Sequence, residues 1–105
     1  MGAEVFEKFV RGTDAQTCFD SAVSEAQWEH GHMGYTGTIA EKTSFVMIED
    51  EKPLSRGEAR RLAEDLIASG DERIDDKWGP AGCIACYDKE KKEIIGFVFL
   101  GWASA

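Results

Sequence analysis

Apolar residues change period several times along the chain, and each change marks an element. Val5, Phe6, Phe9 and Val10 crowd the stretch from Ala3 to Val10, which reads as a strand ended by Gly12. Ala15, Phe19, Ala22, Val23 and Ala26 then recur at the spacing of one helical face, predicting a helix that runs to Glu29 or His30. Thr13-Asp14-Ala15-Gln16 fits a capping box at its start, with Thr13 as N-cap, and Gly31 is the natural stop at its end. Thr38 to Glu41 and Ser44 to Ile48 read as two short strands of a hairpin. Ser55-Arg56-Gly57-Glu58 is a second capping box, followed by the stripe Ala59, Leu62, Ala63, Leu66 and Ile67 and by Gly70. After a polar loop from Asp71 to Gly82, Cys83 to Tyr87 and Glu93 to Trp102 form a terminal hairpin.

The order β-α-β-β-α-β-β predicts a single α+β domain over residues 1–105. Its simplest form is a two-layer sandwich, with two helices on one face of a largely antiparallel sheet. The last strand complicates this form. Phe97, Phe99 and Gly101 point one way and Val98, Leu100 and Trp102 the other, so both of its faces are apolar. With both helices on one face, the opposite face needs another cover. The expectation is a homodimer that packs part of the Ile94–Trp102 hairpin against its mate; the competing explanation is that the N-terminal strand and the 71–82 loop fold over that face.

Charge narrows the classes of partner. Twenty acidic residues against 12 basic ones give a net charge of -8. That composition disfavours a general nucleic-acid binder, which needs Lys and Arg to displace phosphate counterions, and likewise an anionic membrane surface. It suits a basic protein partner. The acidic runs Glu49-Asp50-Glu51, Asp71-Glu72 and Asp75-Asp76 read as solvated turns, or in a sharper reading as a mimic of DNA phosphates. An odd cysteine count (Cys18, Cys83 and Cys86) points to reduced thiols in a cytoplasm rather than a disulfide framework. The N-terminus lacks a basic region followed by an apolar run, so no signal peptide is predicted. The apolar run from Ile94 to Trp102 is far short of the ~20 residues that span a bilayer.

The densest chemistry lies in His30-Gly31-His32-Met33-Gly34-Tyr35-Thr36-Gly37-Thr38. Glycines let backbone approach a ligand closely, and the remaining side chains are donors, acceptors or titratable groups. The stretch lacks the lysine of a P-loop and opens a strand rather than a helix, so it is no Walker motif. The second glycine-rich loop, Lys77-Trp78-Gly79-Pro80-Ala81-Gly82, also precedes a strand. If the two loops share one end of the sheet, His30, His32, Tyr35, Thr36 and Trp78 line one ligand site. His32 and Tyr35 then donate hydrogen bonds, Trp78 stacks, and Arg73 and Lys77 pair with an anion. No metal and no cofactor is expected. Cys83 and Cys86 are three apart on a strand and diverge, and two histidines alone do not complete a zinc site.

The segment from His30 to Lys42 resembles part of a group of small uncharacterised phage and prophage proteins. Trp78-Gly79-Pro80-Ala81-Gly82 and the ending Phe99-Leu100-Gly101-Trp102-Ala103-Ser104 are similar to the same group. The resemblance implies an intracellular accessory protein and supplies no catalytic residues. Two functional readings therefore stand side by side. One is a module holding a small anionic or nucleotide-like ligand in its glycine-rich loops. The other is an acidic protein-interaction module that inhibits or occupies a basic partner.

Overall fold

The computed structural model describes residues 2–50 and 52–105; Met1 and Glu51, the last residue of the first acidic run, lie outside it. The chain forms an α+β fold with a four-stranded sheet in the order β1-β4-β3-β2. Strand β1 (Ala3–Arg11) pairs antiparallel with β4 (Glu93–Ser104), and β4 pairs antiparallel with β3 (Ala81–Asp88). Strand β2 (Phe45–Met47) joins the far edge parallel to β3. Helix α1 (Ala15–His30) connects β1 to the far side of the sheet, and α2 (Arg56–Ser69) makes the crossover between the parallel pair β2 and β3.

The two helices lie on opposite faces, which corrects the expectation that both share one. Phe19, Ala22 and Ala26 of α1 pack with Cys83, Phe97 and Phe99, whereas Ala59, Ala63 and Leu66 of α2 pack with Ile84, Val98 and Leu100. Successive side chains of β4 alternate between these two cores. The physical reason is visible in that alternation: a central strand that is apolar on both sides requires a helix on each. Val98, Phe99 and Leu100 are each 0% exposed within one chain. Within one chain the two cores therefore bury Val98, Phe99 and Leu100 from both sides, and these residues need no mate to cover them.

Local chemistry explains the element ends. Helix α2 carries the expected capping box, Ser55 Oγ accepting from the Glu58 amide and Glu58 Oε1 accepting from the Ser55 amide, and it ends at Gly70 with φ +67°. Helix α1 starts one residue later than the box pattern indicates. Asp14, not Thr13, is the N-cap, and its Oδ2 accepts from both the amide and the hydroxyl of Thr17. The expected strand Thr38–Glu41 is instead a single 3₁₀ turn (Ile39–Glu41), capped by the Thr38 hydroxyl, which accepts from the Ala40 amide. A side-chain acceptor at that position offers the backbone a turn in place of a ladder. Among the described residues no helix is long and apolar enough to cross a membrane.

Candidate functional site

Both glycine-rich loops sit at the end of the sheet where β3 begins and β4 ends. Gly37 donates its amide to the carbonyl of Ser104, and Ala81 donates its amide to the carbonyl of Ser44. The loops meet through an aromatic pair. The rings of Tyr35 and Trp78 stand edge to face, with centroids 6.3 Å apart. This is a favoured arrangement for two aromatic quadrupoles. Both rings remain accessible, at 50% and 66% exposure.

Lys42 holds this arrangement from beneath. It is only 3% exposed, and its Nζ donates to the carbonyl oxygens of Gly79 (2.8 Å), Lys77 (3.1 Å) and Asp76 (3.4 Å). Its ammonium also lies 5.9 Å from the centre of the Phe6 ring. Burial pushes the Lys42 pKa down, and the nearby Asp76 carboxylate opposes that shift. One lysine from the first loop segment thus pins the backbone that carries Trp78. Asp76 adds a second constraint, its Oδ1 accepting from the Trp78 amide at 2.8 Å.

The glycine-rich loop already cradles an anion, and that anion belongs to the chain. Glu41 Oε2 accepts from the Thr36 hydroxyl at 2.7 Å and from the Thr36 amide at 3.2 Å. Tyr35 adopts φ +57°, and Gly34 and Gly37 adopt φ +80° and +70°. These left-handed conformations wrap the loop around the carboxylate. A side chain at Gly37 would also meet Glu4, whose Oε2 lies 2.7 Å from where a Cβ would stand.

The other candidate residues take separate roles. His30 ends α1 on the surface, its Nε2 3.7 Å from Glu29 Oε2. His32 is exposed in the loop, and Thr36 is committed to Glu41. The structure therefore joins Tyr35 to Trp78, and joins Thr36 to the same loop through Glu41, while the two histidines stand at the surface. The cations expected to meet an anion are occupied. Arg73 forms a two-pronged pair with Asp71, Nε and Nη2 each 2.9 Å from a carboxylate oxygen. Those hydrogen bonds from Arg73 hold the Asp71 carboxyl at about 2. Lys77 Nζ donates to the Gly2 carbonyl at 3.3 Å and lies 5.3 Å from the Trp78 ring centre.

Two features of the surface escaped the sequence reading. Trp28 is 89% exposed and Met33 is 92% exposed, so the last turn of α1 and the loop after it present large apolar side chains to solvent. Trp28 falls off the apolar stripe of its helix, and that misplacement was a usable signal. Nothing in the sequence separates Lys42 from a surface lysine.

Among the described residues the better-formed hollows lie elsewhere and are not lined by His30, His32, Tyr35, Thr36 or Trp78. One of about 390 Å³ lies by Met47, Asp50, Pro53, Leu54, Tyr87 and Phe97. Among the described residues no three His, Cys, Asp or Glu side chains gather as metal ligands would. Cys83 and Cys86 face opposite cores, and burial pushes their thiols up to about 12 and about 11. No family model, curated protein or solved structure matches the chain.

Proposed function

We propose that this protein is an acidic interaction module that docks a basic protein segment through the aromatic surface formed by Tyr35 and Trp78. The observation that carries this reading is the exposed edge-to-face pair held in place by Lys42. Tyr and Trp dominate the energetics of protein interfaces when they are rigidly presented, because little side-chain freedom is lost on binding. Trp28 and Met33 extend the supply of exposed apolar surface on the same stretch of chain. Around the second loop the acids Asp71, Glu72, Asp75 and Asp76 outnumber Arg73 and Lys77, and the whole chain carries a net charge of -8. A partner rich in Arg and Lys meets both features: its cations face carboxylates, and guanidinium groups stack on exposed rings.

The alternative, a small anionic ligand in the glycine-rich loop, has less support. The Thr36 donors are spent on Glu41, the Gly37 amide is spent on Ser104, and Arg73 is spent on Asp71.

A direct test is titration with an arginine-rich peptide and, in parallel, with inorganic phosphate and a mononucleotide. Tryptophan fluorescence and calorimetry follow binding. The interaction reading expects saturable peptide binding that weakens with salt and is lost in Trp78→Ala and Tyr35→Ala. Binding of phosphate or nucleotide with no peptide binding would overturn it.

A further inference from the structure

We infer that a second copy of this chain pairs with the open edge of β1, joining two sheets into one continuous eight-stranded sheet about a two-fold axis. The inference uses the backbone edge of β1, which adjoins the loops of Tyr35 and Trp78 at Glu4 and Gly2 but involves neither ring, and it does not depend on their binding a partner.

Strand β1 lies at the end of the sheet with β4 as its neighbour. The two run in unbroken register from Ala3↔Ser104 to Arg11↔Gly96. Two flanking contacts fix which backbone groups point inward. Gly2 and Ala105 exchange both hydrogen bonds, and the Gly12 amide donates to Ile95. Alternation in an antiparallel ladder then turns the N–H and C=O groups of Glu4, Phe6, Lys8 and Val10 toward β4. Those of Ala3, Val5, Glu7 and Phe9 point out of the sheet.

Such an edge is a template for another strand unless it is short, bulged, interrupted by proline, covered, or guarded by charges that no partner strand matches. Strand β2, on the opposite edge, is only three residues long. Strand β1 has nine residues, no proline and no register shift.

The side chains select the partner and the register. In a symmetric antiparallel pair the outward-pointing residues must face each other, so the paired numbers sum to an even value. Centring the axis on Phe6 sets Ala3 opposite Phe9 and Val5 opposite Glu7. It also sets Glu4 of each copy directly opposite Lys8 of the other. Opposite charges facing across strands stabilise a pair, and like charges destabilise it. Centring on Glu7 instead sets Glu7 against its own copy. Within one chain Lys8 also pairs with Glu25 at 2.9 Å, and Glu7 lies 3.4 Å from Arg60 Nε, so both faces of the strand already carry paired charges. A register centred on Phe9 also faces Glu7 with Arg11 but pairs only residues 7–11, whereas the register centred on Phe6 is charge-complementary and pairs residues 3–9.

The experiment is sedimentation of the full chain over a concentration series, combined with amide hydrogen exchange. The expected result is a dimer in which the Val5, Glu7 and Phe9 amides become protected as concentration rises, while those of Glu4, Phe6 and Lys8 are protected throughout. Val5→Pro removes an outward donor and leaves the bonds to β4 intact, so it should yield a monomer. Lys8→Glu should weaken association roughly tenfold or more, because two attractive pairs become repulsive. Adding Glu4→Lys to that variant restores the opposite charges and should recover the dimer, although the Lys8–Glu25 pair stays broken. A chain that is monomeric at every concentration overturns the inference, as does a dimer insensitive to both single changes. If Val5→Pro fails to fold, the exchange pattern of the unmodified chain decides alone, and outward amides that never gain protection overturn it.

Discussion

Thr36 and Glu41 close the glycine-rich loop on itself, with the amide and hydroxyl of one residue both donating to a single carboxylate oxygen of the other. A loop rich in glycine and donors has the composition of an anion-binding nest. Here the anion sits five residues downstream in the same chain. Thr36→Val keeps the amide bond and removes the hydroxyl, leaving a partly buried carboxylate short of one donor. The expected cost is about 1–2 kcal/mol. In urea denaturation the midpoint should fall while the slope stays unchanged.

Lys42 is the larger structural commitment at this end of the sheet. Lys42→Met fills similar volume and leaves the carbonyls of Asp76, Lys77 and Gly79 without the donor they share. Loss of a shared buried donor predicts destabilisation of roughly 2–4 kcal/mol. Amide exchange should quicken across residues 76–79 before it does so in β3. An unchanged midpoint would show that water replaces the ammonium without penalty.

Where sequence reading succeeded, residue type and local geometry agreed. Ser55, Glu58 and Gly70 bounded α2 because caps act over one turn. Cys83 and Cys86 were placed on opposite faces because a strand has period two. The failures were non-local. The alternation of β4 revealed two apolar faces, but which helix covers each depends on the crossover between β2 and β3. Thr38 to Glu41 has the β-branched content of a strand and is turned by the Thr38 hydroxyl and the Thr36–Glu41 contact. Nothing in the sequence requires the two loops to meet, although a shared site depends on it. The filling of the loop by Glu41 is not legible either, because a carboxylate in sequence carries no sign of where it folds back.

Gly96 tests the approach of β1 to β4. A Cβ there would stand 2.6 Å from both the Phe9 ring and the Val10 carbonyl oxygen. Backbone cannot give way as a flexible side chain can, so Gly96→Ala should cost roughly 1–3 kcal/mol and loosen β1. Gly31→Ala has open space around its Cβ, so only its φ of +88° resists the change. The thermal midpoint should fall further for Gly96→Ala than for Gly31→Ala, and the reverse order would contradict this reading of β1.

Thiol chemistry offers a check on the two cores. Cys18, Cys83 and Cys86 are all buried, and burial raises each thiol above its ordinary value. In native protein near neutral pH, an aromatic disulfide reagent should modify these thiols only as fast as the fold opens. All three should react promptly in denaturant. Fast native reaction at Cys83 would mean that the α1 face opens locally.

Acid titration probes the surface carboxylates that the fold holds ionised. The Lys89 ammonium beside Glu58, together with the Ser55 amide, holds the Glu58 carboxyl at about 2 against an ordinary value of 4.5. Asp71 is held at about 2 against 3.8 by Arg73. A carboxyl whose folded value lies below its unfolded one binds its proton more readily in the unfolded chain. Both groups therefore contribute stability above pH 4.5 and lose it as pH falls towards 2. Glu58→Gln keeps a side-chain acceptor for the capping box but removes the charge, and Asp71→Asn does the same opposite Arg73. Each variant should be less stable than the parent at neutral pH and should converge on it near pH 2. Because both sites are open to solvent, added salt should shrink the neutral-pH difference. Parallel curves with no convergence in acid would show that these ion pairs do not couple to folding.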